Sequence, residues 1–120
     1  MNLLEIHQDV IANFQGIVKE IELLPTKWDN QLKLKITFVD DTTLRVAEVF
    51  YQHKIIAYSY YHLNERNELI AGWDSAPHHK HLQNFPYHKH VGKDGKIQSS
   101  VRMDLNKALS AVQKKIISNT

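Results

Sequence analysis

The chain has 120 residues, of which 42% are hydrophobic and 23% are charged, so it fits one domain with one core and excludes wholesale disorder. It contains no cysteine, which excludes disulfides, cysteine-type zinc sites and a thiol nucleophile. A formal net charge of +2 permits a nucleic-acid partner without requiring one.

The N-terminal segment carries apolar residues at spacings of three and four, which predicts a helix over 3–15. Gly16 stands where a residue with positive φ commonly ends a helix. After it the apolar residues recur every second position, which predicts a first strand over about 17–25, ended by Pro25. A helix prolonged to Leu24 buries the same apolar residues and is the alternative.

The middle of the chain alternates between apolar and polar residues, and short turn sequences separate the alternating runs. This pattern predicts four further strands, over about 31–39, 43–50, 54–63 and 68–73. Asp104 is a predicted helix N-cap, and the apolar stripe that follows it predicts a C-terminal helix over 104–117.

Short links between successive strands favour antiparallel pairing in chain order. The sequence therefore predicts one α+β domain over 1–120: a five-stranded antiparallel meander with both helices on one face. The other face would be covered by the remaining loop, by a second copy in a homodimer, or by a partner. No signal peptide and no membrane-spanning run is recognisable, so we expect a cytoplasmic protein with no membrane partner.

Residues 74–100 are predicted to form a long loop, because the strand pattern stops and prolines and glycines accumulate. Five of the eight histidines lie between His78 and His90. Histidine titrates near physiological pH and is the commonest metal ligand. A fold does not need five imidazoles in one segment, so this segment is the predicted functional site.

The histidines suit RNA cleavage, which needs a base for the 2′-hydroxyl, an acid for the leaving oxygen and a cation for the transition state. His78 or His79 would form the acid–base pair with His88 or His90, since both of the latter face one side if their segment is extended. Asp74 would orient one of the imidazoles. The catalytic candidates are therefore Asp74, His78, His79, His88, Lys89 and His90.

Four further residues are predicted to contact the substrate by holding phosphates or stacking on bases: His62, Trp73, Lys80 and Tyr87. Two other interpretations stay open. No cofactor is expected, but a divalent zinc or manganese ion could be held by Asp74, His78, His88 and His90. Alternatively, the histidine-rich loop is a solvated surface with incidental metal affinity.

Three blocks resemble the TumE family: Tyr61-His62-Leu63, Gly72-Trp73-Asp74-Ser75-Ala76-Pro77-His78-His79, and Phe85-Pro86-Tyr87-His88-Lys89-His90-Val91. These small prokaryotic proteins, long catalogued as a domain of unknown function, are regarded as toxins of type II toxin–antitoxin systems. The order of helices and strands also follows the family. One residue of the third block departs from the family pattern, because Tyr87 stands where many relatives have a histidine. The resemblance implies a toxin acting on RNA, with a helix-turn-helix antitoxin as partner. It implies the same six catalytic candidates. A non-catalytic module that binds RNA or protein is the alternative.

Overall fold

The computed structural model describes residues 3–77 and 85–119. A short 3-10 helix over Leu3–His7 continues as helix α1 over Gln8–Ala12, and helix α2 spans Leu105–Ser118 near the other end. Between them, the described residues form seven strands: β1 Val18–Leu23, β2 Gln31–Phe38, β3 Thr43–Tyr51, β4 Lys54–Leu63, β5 Leu69–Asp74, β6 His88–Val91 and β7 Lys96–Ser99. None of the helices in these described ranges is long and apolar enough to cross a membrane.

All seven strands form one antiparallel sheet in the order β1-β2-β3-β4-β5-β6-β7. The predicted α+β class and the meander are confirmed, but the prediction of five strands is wrong. The predicted loop over 74–100 contains a hairpin formed by β6 and β7. Strand β6 of this hairpin also pairs with β5 and so extends the predicted sheet. Each hairpin strand has only four residues, too few for period-two alternation to be recognised against the surrounding turn residues.

Alternate residues of the sheet form the core on one side, which we call the helical face because α2 packs there. Its fully buried side chains include Leu34, Tyr60, Leu109 and Val112. Asp104 caps α2 by accepting a hydrogen bond from the Lys107 backbone N–H at 2.8 Å. The opposite side, which we call the open face, carries the partly exposed residues of β2, β3 and β4.

The N-terminal segment is tied to the helical face by polar groups as well as by apolar contacts. Buried His7 lies with its Nε2 2.5 Å from Oε1 of Glu48, and the Tyr60 hydroxyl donates to Oε2 of the same carboxylate at 2.6 Å. Glu48 is only 1% exposed, so these two contacts replace the water it loses on folding. The regular α-helix stops at Ala12, and turns then bring Phe14 and Ile17 into the core.

Candidate functional site

The candidate site lies on the open face, where β4, β5 and β6 run side by side. Asp74 is paired directly with His88, and Gly72 is paired with both Tyr61 and His90. Directly paired residues present their side chains on the same face, and so do residues two apart on a strand. The sheet register therefore gathers three side chains around Asp74: Tyr61, His88 and His90.

The Asp74 carboxylate, on a residue 6% exposed, is the centre of this cluster. Its Oδ1 lies 2.6 Å from Nε2 of His88 and accepts a hydrogen bond from the Ala76 backbone N–H at 3.0 Å. Its Oδ2 lies 3.1 Å from Nε2 of His90 and accepts a hydrogen bond from the Tyr61 hydroxyl at 2.5 Å. Both carboxylate oxygens are thus occupied by two partners each, which fixes the two imidazoles relative to one another.

His88 is held at both ring nitrogens. Its Nδ1 lies 3.0 Å from the Pro86 carbonyl oxygen, which can only accept a hydrogen bond, while Nε2 faces the Asp74 carboxylate. Two arrangements satisfy both contacts beside an ionised Asp74: a proton on each nitrogen, or a proton on Nδ1 and a divalent cation next to Nε2. A histidine that binds a metal through one ring nitrogen usually donates the N–H of its other nitrogen to a carboxylate or a backbone carbonyl, and the Pro86 carbonyl could accept from Nδ1 of His88 in this way.

Asp74, His88 and His90 could therefore hold a metal ion. One ligand atom from each residue lies within 4.8 Å of the others. Two imidazole nitrogens and a carboxylate oxygen suit zinc or manganese, and three protein ligands leave a coordination position for water or substrate.

The two imidazoles differ in access to solvent. The His88 side chain is 2% exposed and that of His90 is 20% exposed, with their ring centroids 4.9 Å apart. A substrate bound on the open face can contact an exposed ring more directly than a buried one. His90 is therefore the better placed reactant, and His88 is better placed to hold Asp74.

Tyr61 reaches Asp74 because a glycine lies beneath its ring. A Cβ built on Gly72 would lie 2.1 Å from Cδ1 of Tyr61, far inside contact distance. Burial, followed by the hydrogen bond to Asp74, raises the pKa of Tyr61 above its ordinary value. The hydroxyl therefore stays protonated at neutral pH and acts as a hydrogen-bond donor to the carboxylate.

A cleft of about 400 Å³ opens beside the cluster on the same face. It runs from Lys33 on β2 across the sheet to Tyr61 and Asp74. Its floor consists of small side chains on the central strands, Ala47, Ala57 and Ser59. A substrate lying in this cleft would meet the cluster at one end.

The structure brings together three of the six predicted catalytic residues: Asp74, His88 and His90. Lys89 alternates with the two histidines and points to the helical face, where its ammonium lies 5.5 Å from the centre of the Trp73 ring. Trp73 itself is 5% exposed within the core. The structure thus places Lys89 and Trp73 on the side of the sheet away from the cluster.

Two other predicted contacts also lie outside the cluster. Buried His62 is on the helical face, with its Nε2 2.9 Å from the Thr42 hydroxyl and its ring edge-on to Phe38. Tyr87 stacks on the core residue Tyr58, with ring centroids 6.3 Å apart. The predictions for His78, His79 and Lys80 fall outside the described residues.

Sequence reasoning missed Tyr61 as part of the site. The signal was present in the alternation of β4, because the neighbouring positions 60 and 62 are buried on the helical face and Tyr61 must face the other way. The pairing of Tyr61 with Gly72 was harder to foresee, since a bulge shifts the register between His62 and Leu63.

Comparisons with known proteins point to one family. No curated protein and no solved structure matches the chain significantly. A family model described as Toxin TumE matches residues 7–118. That range includes every strand, helix α2 and all members of the Asp74 cluster. The chain therefore belongs to the TumE toxin family.

Proposed function

We propose that this toxin cleaves RNA at the Asp74 cluster by histidine acid–base catalysis. The observation that supports the proposal best is the single carboxylate that fixes two imidazoles at the end of an open cleft. An imidazole held by a carboxylate can make one of the two proton transfers that RNA cleavage requires, and a second histidine must make the other. Membership of a toxin family fits an activity that arrests growth, and it implies an antitoxin as partner; we expect a helix-turn-helix antitoxin.

In the proposed reaction, the 2′-oxygen of one nucleotide attacks the adjacent phosphorus while a base removes its proton. The bond from phosphorus to the 5′-oxygen then breaks, and an acid donates a proton to that oxygen. The products are a 2′,3′-cyclic phosphate and a 5′-hydroxyl end. Both protons are transferred by side chains, so the step needs no oxidant or further reactant.

We assign the base to His90. Its Nε2 lies 3.1 Å from Oδ2 of Asp74, and an ionised carboxylate can only accept, so a neutral His90 would carry its proton on Nε2 and its lone pair on Nδ1. Asp74 fixes this tautomer and stabilises the imidazolium that forms. Tyr61 and His88 are positioning residues, because both hold Asp74. The acid is expected from His78 or His79, as the sequence predicts.

Cleavage of a labelled RNA by purified variants tests this assignment. His90→Ala should lower the rate by about 10²- to 10⁴-fold, the contribution typical of a general base. His53→Ala is the matched control, because His53 is exposed in the turn between β3 and β4. Lys89→Gln should keep most of the activity, since Lys89 faces the other side of the sheet. Equal rates for His90→Ala and His53→Ala would reject the assignment.

A metal-dependent nuclease is the second candidate, supported by the distance of at most 4.8 Å among the three ligand atoms. Here the ion would lower the pKa of a bound water or bind a phosphate oxygen. Cleavage that EDTA abolishes and manganese restores would favour this candidate. Cleavage that persists in EDTA favours acid–base catalysis alone.

A non-catalytic binding module predicts a different result in cells. Expression of His90→Ala would then arrest growth as strongly as the wild type, because binding does not need the imidazole. Relief of growth arrest by His90→Ala, but not by His53→Ala, supports catalysis. We also expect RNA to cover the open face, and a homodimer in which a second copy of the chain covers it is the alternative.

A further inference from the structure

We propose that the open-face cleft binds one nucleotide of single-stranded RNA next to the cleaved bond, with Lys33 and Arg45 holding the phosphates. The choice of RNA rests on the proposed function. The cleft crosses the sheet from β2 to β5, which is three strand spacings or roughly 14 Å. Its volume of about 400 Å³ lies in the range of small-ligand sites.

The floor of the cleft suits a nucleobase. Ala47, Ala57 and Ser59 have short side chains on adjacent strands, so a flat group can approach the sheet closely. Val49 extends the apolar surface, and the Tyr61 ring forms part of the wall nearest the cluster. A base lying here would be in contact with apolar groups on one side, and its sugar would point toward Asp74.

Cations lie along the β2–β3 side of the cleft: Lys33 is in its lining, Lys35 and Arg45 lie beside the lining, and the acidic residues Glu48 and Asp74 also belong to the lining. Lys33 is exposed and lines the cleft, and Lys35 lies two residues further along the same face of β2. Arg45 is paired with Lys35 on one side and with Tyr61 on the other. Glu22 is paired with Lys35 from β1 and offsets part of its charge, which leaves Lys33 and Arg45 as the main cations beside the cleft.

Arg45 gives the second, independent indication of an anionic ligand. Its Nε is buried and has no hydrogen-bond partner in the part of the chain that the structure describes. A buried donor of a charged group normally has a partner. A guanidinium is well suited to a phosphate, because its N–H groups match the phosphate oxygens in pairs.

These features favour a single strand over a duplex. In a double helix the bases are stacked and paired, so none can lie on the short side chains that form the floor of the cleft. Single-stranded RNA can turn a base outward and place it on a protein surface. The phosphates on either side of that base would then lie near the two cations and near the cluster.

The proposal is tested with a probe that binds but cannot react, a fluorescein-labelled uridine 12-mer with 2′-O-methyl groups throughout. Its affinity is measured by fluorescence anisotropy over a range of salt concentrations. Lys33→Gln and Arg45→Gln should each weaken binding by about fivefold and each lower the slope of log K against log salt by about 0.7. Lys114→Gln on α2, across the sheet from the cleft, is the matched control and should change neither.

A substitution without a charge change separates the cleft from general electrostatics. Ala57→Leu fills the floor and should also weaken binding, with the slope unchanged. Circular dichroism verifies that each variant is folded. If Arg45→Gln does not fold, Lys33→Glu at the exposed position of Lys33 is tested in its place. Equal affinity of Lys33→Gln, Lys33→Glu and Lys114→Gln for the probe would overturn the proposal, as would equal binding of a duplex of the same length.

The test distinguishes failure of this proposal from failure of the proposed function. Probe binding that depends on Lys33 and Arg45, without cleavage of unmodified RNA, would reject catalysis and support the binding site. Cleavage that needs His90 but is indifferent to Lys33 and Arg45 would reject the binding site alone. Loss of antitoxin binding in Lys33→Gln with unchanged RNA affinity would overturn the proposal in favour of a protein interface.

Discussion

Removal of the buried histidine His62 should make the fold less sensitive to acid. Burial lowers the pKa of His62 from 6.5 to about 4; the charge of Asp40 acts in the opposite direction, and that of Lys115 adds to the decrease. The folded protein therefore holds the neutral imidazole, whereas the unfolded chain takes up a proton below about pH 6.5. The contribution of neutral His62 to the free energy of unfolding is therefore fully present above pH 6.5 and is lost as the pH falls toward 4.

The magnitude follows from the difference between the two pKa values. At 1.36 kcal/mol for each pKa unit, proton uptake by His62 in the unfolded chain lowers the free energy of unfolding by about 3 kcal/mol between pH 7 and pH 4. His62→Gln retains a polar side chain near the Thr42 hydroxyl and cannot take up a proton in this range. The variant should therefore lose about 3 kcal/mol less than the wild type over the same interval.

Urea unfolding at closely spaced pH values measures the difference. His53→Gln is the control, because it removes an imidazole from an exposed turn that folding does not desolvate. A constant difference in unfolding free energy between wild type and His62→Gln from pH 7 to pH 4 would show that His62 does not cause the acid sensitivity. A difference that grows in the opposite sense would show this as well.

Three further substitutions test particular contacts. Gly72→Ala places a Cβ against the Tyr61 ring, so it should displace the hydroxyl from Asp74 and lower RNA cleavage with the chain still folded, as a cleavage assay and circular dichroism would show. Asp104→Ala removes the cap of α2 and should cost about 1 kcal/mol in urea unfolding; an unchanged midpoint would contradict this. Leu109→Ala truncates a fully buried side chain of α2 and should cost about 2–5 kcal/mol, and a loss below 1 kcal/mol would show that the site is not packed as described.

The sequence predicted the parts of the fold whose pattern is long and regular. Strand β2 alternates over eight residues, and its apolar members are buried as expected. The hairpin of β6 and β7 was missed because its pairing with β5 is stabilised by contacts distant in sequence, and because Gly92 and Gly95 indicate only a turn. The N-terminal helix also differs from the prediction, because its first five residues form a 3-10 helix and the α-helix ends at Ala12.

The candidate site was predicted in part. Alternation placed His88 and His90 on one face, but the same rule places Lys89 on the other face, although both the residue pattern and the family resemblance had included Lys89. The position of Asp74 between the two imidazoles depends on the register of β5 against β6, which no local pattern encodes. Tyr61 belongs to the cluster only because Gly72 leaves room for its ring.

The most direct measurement is the single-turnover cleavage of RNA in EDTA, compared with the same RNA carrying one 2′-deoxy nucleotide at the cleaved position. We expect the purified protein to cleave the unmodified RNA to a 2′,3′-cyclic phosphate and to leave the 2′-deoxy substrate intact. Equal cleavage of both substrates, or cleavage that stops in EDTA and returns with manganese, would contradict histidine acid–base catalysis at the Asp74 cluster.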